Sequence, residues 1–419
     1  AAGAALSDFP AMNRVASAGE VLVVLNCGSS SIKFAVFDAA ADPLPRKPVW
    51  NGKVQGIGGA KPDFGETGVV PFAIELDGTH PYRSALALIR ERILARLDGR
   101  KIVAIAHRVV HGGSKYFKPT RIDAAVLADL KSFIPLAPLH QPFALEAIEI
   151  LLREQPQLPQ VACFDTGFHL TLPKVEQLLP LPHAFWERGL RRYGFHGLSY
   201  DYMATALPER HGDLARGRVI VAHLGSGASL CAMQDLASVA TTMGFSALDG
   251  LMMGTRTGAL DPGAVIYLME IEKLSLADVG HLLYHRSGLL GVSGISPEPR
   301  VLQPLEAGAD ETGARAREAL ALYVRRMVRE IGALVAVLGG LDLLVFTAGV
   351  GEHSADIRER VCSSLGFLGI TLDAAANAGN APLISTANSR VRVAVEPTNE
   401  EWVAARDSIA VIGVGQEPV

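Results

Sequence analysis

Residues 21–38 read VLVVLNCGSSSIKFAVFD. An apolar run leads into Asn26-Cys27-Gly28-Ser29-Ser30-Ser31, and a second apolar run carries Lys33. Two apolar runs joined by a short turn of small residues predict a β-hairpin. Gly28 permits backbone angles that other residues resist, so main-chain N–H groups can turn toward one point. Three hydroxyls and a lysine at that point make a cradle for an anion, and the phosphates of a nucleotide fit it best. The same residues also fit a polar hairpin turn with no ligand.

The pattern recurs at residues 218–235, RVIVAHLGSGASLCAMQD, with Gly225-Ser226-Gly227-Ala228-Ser229 between two apolar runs. We read an internal duplication: two similar domains, each with a phosphate turn, able to clamp a nucleotide between them. Chance similarity of two hairpins is the alternative. Between the copies, Leu86, Ile89, Ile93 and Leu97 recur at helical spacing before Gly99, and residues 102–106 form a buried strand. A helix follows at about residues 143–154, then a strand at 161–164 that ends in Asp165. The alternation predicts an α/β fold with parallel pairing in part of the sheet. Gly56 to Gly68 reads as a loop.

Later, Leu320, Tyr323, Val324, Met327, Val328, Ile331, Leu334, Val335 and Leu338 predict an amphipathic helix that ends at Gly339-Gly340. A strand at 341–346, a tight turn at Thr347–Glu352 and a helix at about 355–365 capped by Ser354 come next. A strand at 391–395 precedes the last helix, which starts around residues 397–401.

The chain has 419 residues, 49% hydrophobic and 20% charged, enough for two or three domains with sizeable cores. A formal net charge of −4 argues against non-specific nucleic-acid binding. Cys27, Cys163, Cys231 and Cys362 lack CxxC spacing, which suits free thiols in a reducing compartment, and so a cytoplasmic protein. Residues 1–20 read as a loose Ala-rich tail without signal-peptide character. The apolar run 331–350 contains Asp342 and a Gly-Gly break, so it predicts a buried helix and strand rather than a membrane span.

Nine stretches carry a resemblance: NCGSSSIKF, AHRVVHGG, APLHQP, FDTGFH, RRYGFHG, AHLGSG, GLMMGTRTG with DP following, FTAGVGEHS and PTNEEW, in order from about residue 21 to 407. Together they resemble the acetate kinase family, within the superfamily of acetate and sugar kinases, chaperone ATPases and actin. The resemblance implies two duplicated ribonuclease H-like (actin-like ATPase) domains with a nucleotide cleft between them. The first would span residues 21–165 and bind the acid and phosphates. The second would span 166–402 and serve nucleotide binding and dimerisation, and a helix at about 403–419 would return to the first. The implied reaction is reversible in-line transfer of the ATP γ-phosphoryl group to acetate or propionate, giving an acyl phosphate and ADP, with Mg²⁺ or Mn²⁺. No membrane or nucleic-acid partner is implied, and a homodimer is.

Such chemistry needs no strong base, because the carboxylate nucleophile is already ionised. It needs positive charge that brings two anions together. Arg108, flanked by His107 and His111, and Arg256, in Gly254-Thr255-Arg256-Thr257-Gly258, supply planar guanidinium groups suited to carboxylate or phosphoryl oxygens. Structural ion pairs are the plainer alternative for both. By resemblance both contact the acid and the transferring phosphoryl group, His196 stabilises the transition state, and Asp165 acts near the metal and orients an arginine. Asn26 and Glu400 would lie near the Mg²⁺, although an acid in a helix's first turn needs no ligand to explain it. Ser29, Ser31, Lys33, His223, Gly225, Ser226 and Gly227 would face the phosphates. Glu298, Arg300, Gly349, Gly351, Glu352 and His353 would surround the adenosine. Val110, Leu139, His140, Phe195 and Ala247 would line the acid pocket.

The chain departs from the family at Ser226 (usually Asn), His353 (usually Asn), Glu298 (usually Asp), Gln141 (usually Asn), Tyr200 (usually His) and Ala247 (usually Pro). The first three bear on base preference. Ala247 leaves more room for propionate. An actin-like or chaperone-like ATPase that works by conformational change is the rival of another class, and it gives no reason for Arg108, Arg256 and His196 in Gly-flanked turns.

Overall fold

The computed structural model describes residues 19–138 and 140–413. The expected tail at 1–18, the acid-pocket candidate Leu139 and the end of the last helix at 414–419 lie outside the described residues. The chain divides into two compact units. One runs up to Phe164 and resumes at Asn399; the other is Asp165–Thr398.

In the first unit the opening hairpin is β1 (Glu20–Cys27) and β2 (Ser31–Asp38), paired antiparallel. It continues into β3 (Trp50–Gln55), β4 (Asp63–Glu66) and β5 (Val69–Ala73). On its other side lie β6 (Lys101–Val109), β7 (Thr120–Arg121) and β8 (Gln160–Phe164), in the order β5-β4-β3-β2-β1-β6-β8-β7. β1 pairs β6 and β6 pairs β8 in parallel. Central strands of this kind are buried on both faces and read as unbroken apolar runs. Val21, Val23 and Leu25 join a core with Ile89, Ile93, Leu145 and Ile148 from the helices Pro81–Arg96 and Gln141–Glu154. The opposite face, with Leu22, Val24, Ala104, Ala106 and Val161, is also buried. The helix Glu400–Gly413 packs there against β1, β6 and β8. Asn399 holds its start: its Oδ1 accepts from the Trp402 N–H at 3.1 Å, and its Nδ2 donates to the Arg46 carbonyl at 2.8 Å.

The second unit repeats the plan. Its sheet contains β9 (Val219–Leu224), β10 (Ala228–Gln234), β11 (Ala237–Thr241), β12 (Leu343–Thr347) and β13 (Arg392–Val395), in the order β11-β10-β9-β12-β13. That is the order β3-β2-β1-β6-β8 of the first sheet, with the same antiparallel and parallel senses. The duplicated, actin-like α/β architecture is therefore visible in the topology. The long helix is Glu311–Leu338, and Gly339, in the left-handed region at φ 71°, ends it. No described helix is long and apolar enough to cross a membrane. All four cysteines are buried and unbridged.

Four local expectations are corrected. Residues 56–68 are not all loop, because β4 lies within them; Phe64 on that strand is buried beside Phe34, ring centroids 6.3 Å apart. Gly28 does not take a positive φ, and a Cβ there would meet nothing nearer than the Ser31 carbonyl oxygen at 3.5 Å. Thr347–Glu352 is not a tight turn: Ala348–His353 is a short helix, drawn tight by the Glu352 carboxylate, which accepts from the Ala348 N–H at 2.9 Å. Ser354 does not cap the next helix, Ala355–Ser364; its Oγ accepts from Gln303 Nε2 at 3.3 Å instead.

Candidate active site

In the second unit, RRYGFHG is a loop held from below by a buried histidine. His169 bonds Ser238 Oγ through Nδ1 at 2.8 Å and the Phe195 carbonyl through Nε2 at 2.9 Å. Burial pushes this imidazole down to about 4, so it stays neutral and acts as a fixed strut. Gly194, at φ 74°, passes over it so closely that a Cβ would fall 2.5 Å from the ring. The Gly197 N–H donates to the Asp165 carbonyl at 2.7 Å, and a Cβ on Gly197 would lie 2.3 Å from that oxygen. The backbone of Asp165 is thus locked to the residue after His196.

His196 stands at the N-terminus of the helix Gly197–His211 with φ 59°, the left-handed region, which costs a non-glycine residue free energy and recurs at functional sites. Its ring stacks on that of His223, centroids 4.1 Å apart and 19° between planes. Nδ1 of His196 bonds Ser229 Oγ at 2.8 Å, and Nδ1 of His223 bonds Ser199 Oγ at 2.9 Å. The other edge of His196 lies against the turn at residues 225–227: a Cβ on Gly227 would sit 3.2 Å from His196 Nε2 and 3.5 Å from Arg256 Nη1. Gly227, His196 and Arg256 therefore converge on one point.

Arg256 reaches that point from a turn stitched to its neighbours. The Met253 N–H donates to the Arg256 carbonyl at 3.1 Å, and Thr255 Oγ1 donates to the Tyr284 carbonyl at 2.8 Å. Its Nη1 also donates to the Ala247 carbonyl at 3.0 Å, which joins it to the candidate acid-pocket residue. Burial pushes the guanidinium below its ordinary value, and a desolvated cation interacts strongly with an anion brought to it.

Parallel pairing of β9 with β12 sets Thr347 opposite His223, so the turn at residues 225–227 and the Ala348–His353 helix emerge side by side. A Cβ on Gly225 would lie 3.8 Å from that of Ala348, and one on Gly349 would meet nothing within 4 Å. Glu352 also accepts from the Thr398 N–H at 3.3 Å, so its carboxylate braces backbone. Ser226 and His353 are exposed, and Glu298 and Arg300 pair with each other on the surface.

In the first unit, Arg108 Nη1 bonds the Glu400 carboxylate at 2.8 Å. Asn26 and Arg108 each follow directly on the paired residues Leu25 and His107 at the ends of β1 and β6. Asn26 also pairs with Lys33, and Lys33 with Lys53, across β1, β2 and β3. Lys33 and Lys53 line a cavity of about 430 Å³ with Asn51, Thr67, Asn399 and Glu401. Ser29 is exposed and Ser31 half-buried. His140 and Val110 sit on loops tied together by Gln141, whose side chain accepts from the His111 N–H at 3.1 Å and donates to the His111 carbonyl at 2.8 Å.

Of the residues expected near a metal, Asn26 carries an amide oxygen and Glu400 a single carboxylate, which Arg108 also bonds. That set suits Mg²⁺, which is usually held by one or two carboxylates together with water and substrate phosphates. Among the described residues no group of three or more His, Cys, Asp or Glu forms a self-sufficient metal cage.

Sequence reasoning passed over Ser229, which lies in the quoted turn but was given no role. It treated Tyr200 and Gln141 only as departures, and Lys53 not at all. The small-polar pattern around Gly227 was the available signal for Ser229.

A model of the Acetokinase family matches residues 21–406. Acetate kinase of Rhodopseudomonas palustris is 47% identical over 393 residues, covering 92% of this chain and 97% of the relative. Acetate kinase of Rickettsia akari is 40% identical over 396 residues, covering 93% and 99%. The crystal structure of Porphyromonas gingivalis acetate kinase is similar at TM-score 0.82 and 35% identity, covering 94% of this chain and 100% of that one. A propionate kinase from Francisella tularensis is similar at TM-score 0.83 and 34% identity, covering 93% and 98%. Nearly the whole length of this chain is matched each time, and it belongs to the acetokinase family.

Proposed function

We propose that this enzyme is an acetate kinase, a phosphotransferase that moves the γ-phosphoryl group of ATP to the carboxylate of acetate, reversibly, giving acetyl phosphate and ADP. The observation that carries this assignment is the convergence of His196 Nε2 and Arg256 Nη1 on Gly227, in a turn of the phosphate-cradling kind. An acid that arrives ionised attacks phosphorus without a general base, and the obstacle is repulsion between two anions. Arg256 and Arg108 offset it with fixed positive charge. His196 donates from Nε2 to an equatorial oxygen of the phosphoryl group in flight. The backbone of Asp165 is locked to Gly197, the residue after His196, and its carboxylate orients an arginine and acts near the metal. Asn26 and Glu400 would hold Mg²⁺, which neutralises charge on the phosphates when bound. Gly225–Gly227 and Ser29, Ser31 and Lys33 receive the phosphates. The backbone at Gly349 and Gly351, with Glu298, Arg300 and His353, receives the adenosine. Val110, His140, Phe195 and Ala247 receive the acid.

A second reading, propionate used nearly as well as acetate, is favoured by Ala247, the small residue whose carbonyl anchors Arg256. An assay for acyl-phosphate formation with ATP, Mg²⁺ and C1 to C4 acids tests both. The primary assignment expects acid-dependent formation of acyl phosphate, and ATP hydrolysis indifferent to acid would overturn it. A kcat/KM for acetate a hundredfold above that for propionate would exclude the second, since one methylene in an apolar pocket is worth roughly 1–3 kcal/mol.

We further propose that the enzyme works as a homodimer in the cytoplasm. Ile266, Tyr267, Met269, Ile271 and Leu276 expose an apolar surface on and just after the helix Pro262–Glu270, which buries none of its own residues. Such a face suits a second copy of the chain. Light scattering on the purified protein that gives the monomer mass at micromolar concentration would refute it.

A further inference from the structure

Taking His196 as the residue that donates to the transferring phosphoryl group, we propose that Tyr200 is a positioning residue that, through Ser229, sets His196 in the tautomer whose Nε2 carries the proton. The three side chains form a short line inside the second unit. Tyr200 lies one helical turn after His196, its N–H bonded to the His196 carbonyl at 3.1 Å. Its hydroxyl meets Ser229 Oγ at 2.5 Å, and Ser229 Oγ meets His196 Nδ1 at 2.8 Å. Tyr200 and Ser229 are fully buried.

The direction of the protons follows from counting them. A buried O–H left without an acceptor carries a desolvation penalty, and Ser229 Oγ is the acceptor within reach of Tyr200. With the tyrosine proton on it, Ser229 directs its own proton to His196 Nδ1. A neutral imidazole has one N–H, so it falls on Nε2, the nitrogen beside Gly227.

Two neighbours hold the ring in place and disfavour a second proton on it. His223 stacks on it at 4.1 Å and is itself anchored through Ser199, whose Oγ bonds Thr398 Oγ1 at 2.8 Å. Arg256 brings its positive charge to the same spot beside Gly227 and opposes a second positive charge on the ring. The other tautomer would aim a lone pair at the phosphoryl oxygens instead of a donor.

The test uses the full-length enzyme with ¹⁵N-labelled histidine, together with Tyr200→Phe, Ser229→Ala and His196→Ala. In the unmodified enzyme the ring-nitrogen shifts of His196, assigned by their loss in His196→Ala, should show Nε2 protonated and Nδ1 bare. Tyr200→Phe should lower kcat roughly tenfold or more and leave KM for ATP and acid within about twofold, because an unset tautomer costs turnover rather than binding. Its nitrogen shifts should move toward a mixture of the two tautomers, and Ser229→Ala should do the same. Protonated Nδ1 in the unmodified enzyme overturns the proposal, as do unchanged kcat and shifts in Tyr200→Phe. If Tyr200→Phe fails to fold, the unmodified enzyme's shifts decide alone. If His196→Ala keeps full kcat, the catalytic assignment of His196 fails, and the shifts still decide the proton relay.

Discussion

The two hairpin turns, Gly28–Ser31 and Gly225–Gly227, sit at equivalent places in two sheets of the same strand order and have become different objects. In the first sheet four residues, 28 to 31, separate the paired Cys27 and Ile32; in the second three residues, 225 to 227, separate Leu224 and Ala228. The longer turn exposes Ser29 and Ser30 and has room at its glycine. The shorter one lies against His196, Arg256 and His223, and a Cβ on Gly227, 3.2 Å from His196 Nε2, would require that ring to give by a few tenths of an ångström. A duplicated scaffold thus supplies two Gly/Ser turns at equivalent places, and packing around only one of them brings a histidine and an arginine to its glycine.

The largest expected effect tests the packed turn directly. Arg256→Ala should lower kcat by roughly 10²–10³-fold, the scale of losing one preorganised charge contact to a transition state. A loss below tenfold would break the contrast. Gly227→Ala should cost roughly tenfold to a hundredfold in kcat, because even a small misplacement of reacting groups is expensive. Gly28→Ala should change kcat by less than about threefold, since its Cβ meets only ordinary contacts. Equal losses at the two glycines would show that both turns are equally constrained.

Acid should also tell the units apart. Burial pushes His107 and His111 in the first unit and His169 in the second down to about 4. In the unfolded chain each takes up its proton near the ordinary value of about 6.5. Their stabilisation is complete above that pH and is lost as pH falls toward 4, about 2 kcal/mol each by pH 5. His211 of the second unit is lowered by burial too but is only half-buried, so hydrogen exchange at pH 7.5 and pH 5 should show the first unit losing more protection than the second, and equal losses would contradict this. The smallest effect concerns specificity: Ala247→Pro should raise the acetate-to-propionate ratio of kcat/KM by roughly tenfold, or about 1.4 kcal/mol.

Much of this was legible in the chain. The repeat of an apolar run, a Gly/Ser turn and a second apolar run announced both hairpins, because a β-hairpin is written in neighbouring residues. Arg108, His196 and Arg256 stood out through their glycine and histidine flanks. Their partners did not. Glu400 meets Arg108 across 292 positions, and Ser229 meets Tyr200 across 29, so each pairing exists only after folding. β4 was missed because one buried phenylalanine, Phe64, holds it between glycines and charges. The Ala348–His353 helix was missed because a carboxylate within it, rather than helical periodicity, draws it tight.

The route of the chain has a consequence for how the molecule is made. The helix that covers Leu22, Val24, Ala104, Ala106 and Val161 begins at Glu400, after the whole second unit has been threaded. On a ribosome releasing about 5–20 residues per second, the opening sheet emerges first and waits uncovered while some 230 residues follow. The later-made unit is contiguous and can close on itself, and the earlier-made one is completed last. Newborn chains halted before residue 399 should be the ones that chaperones capture, by the greasy side of the opening sheet.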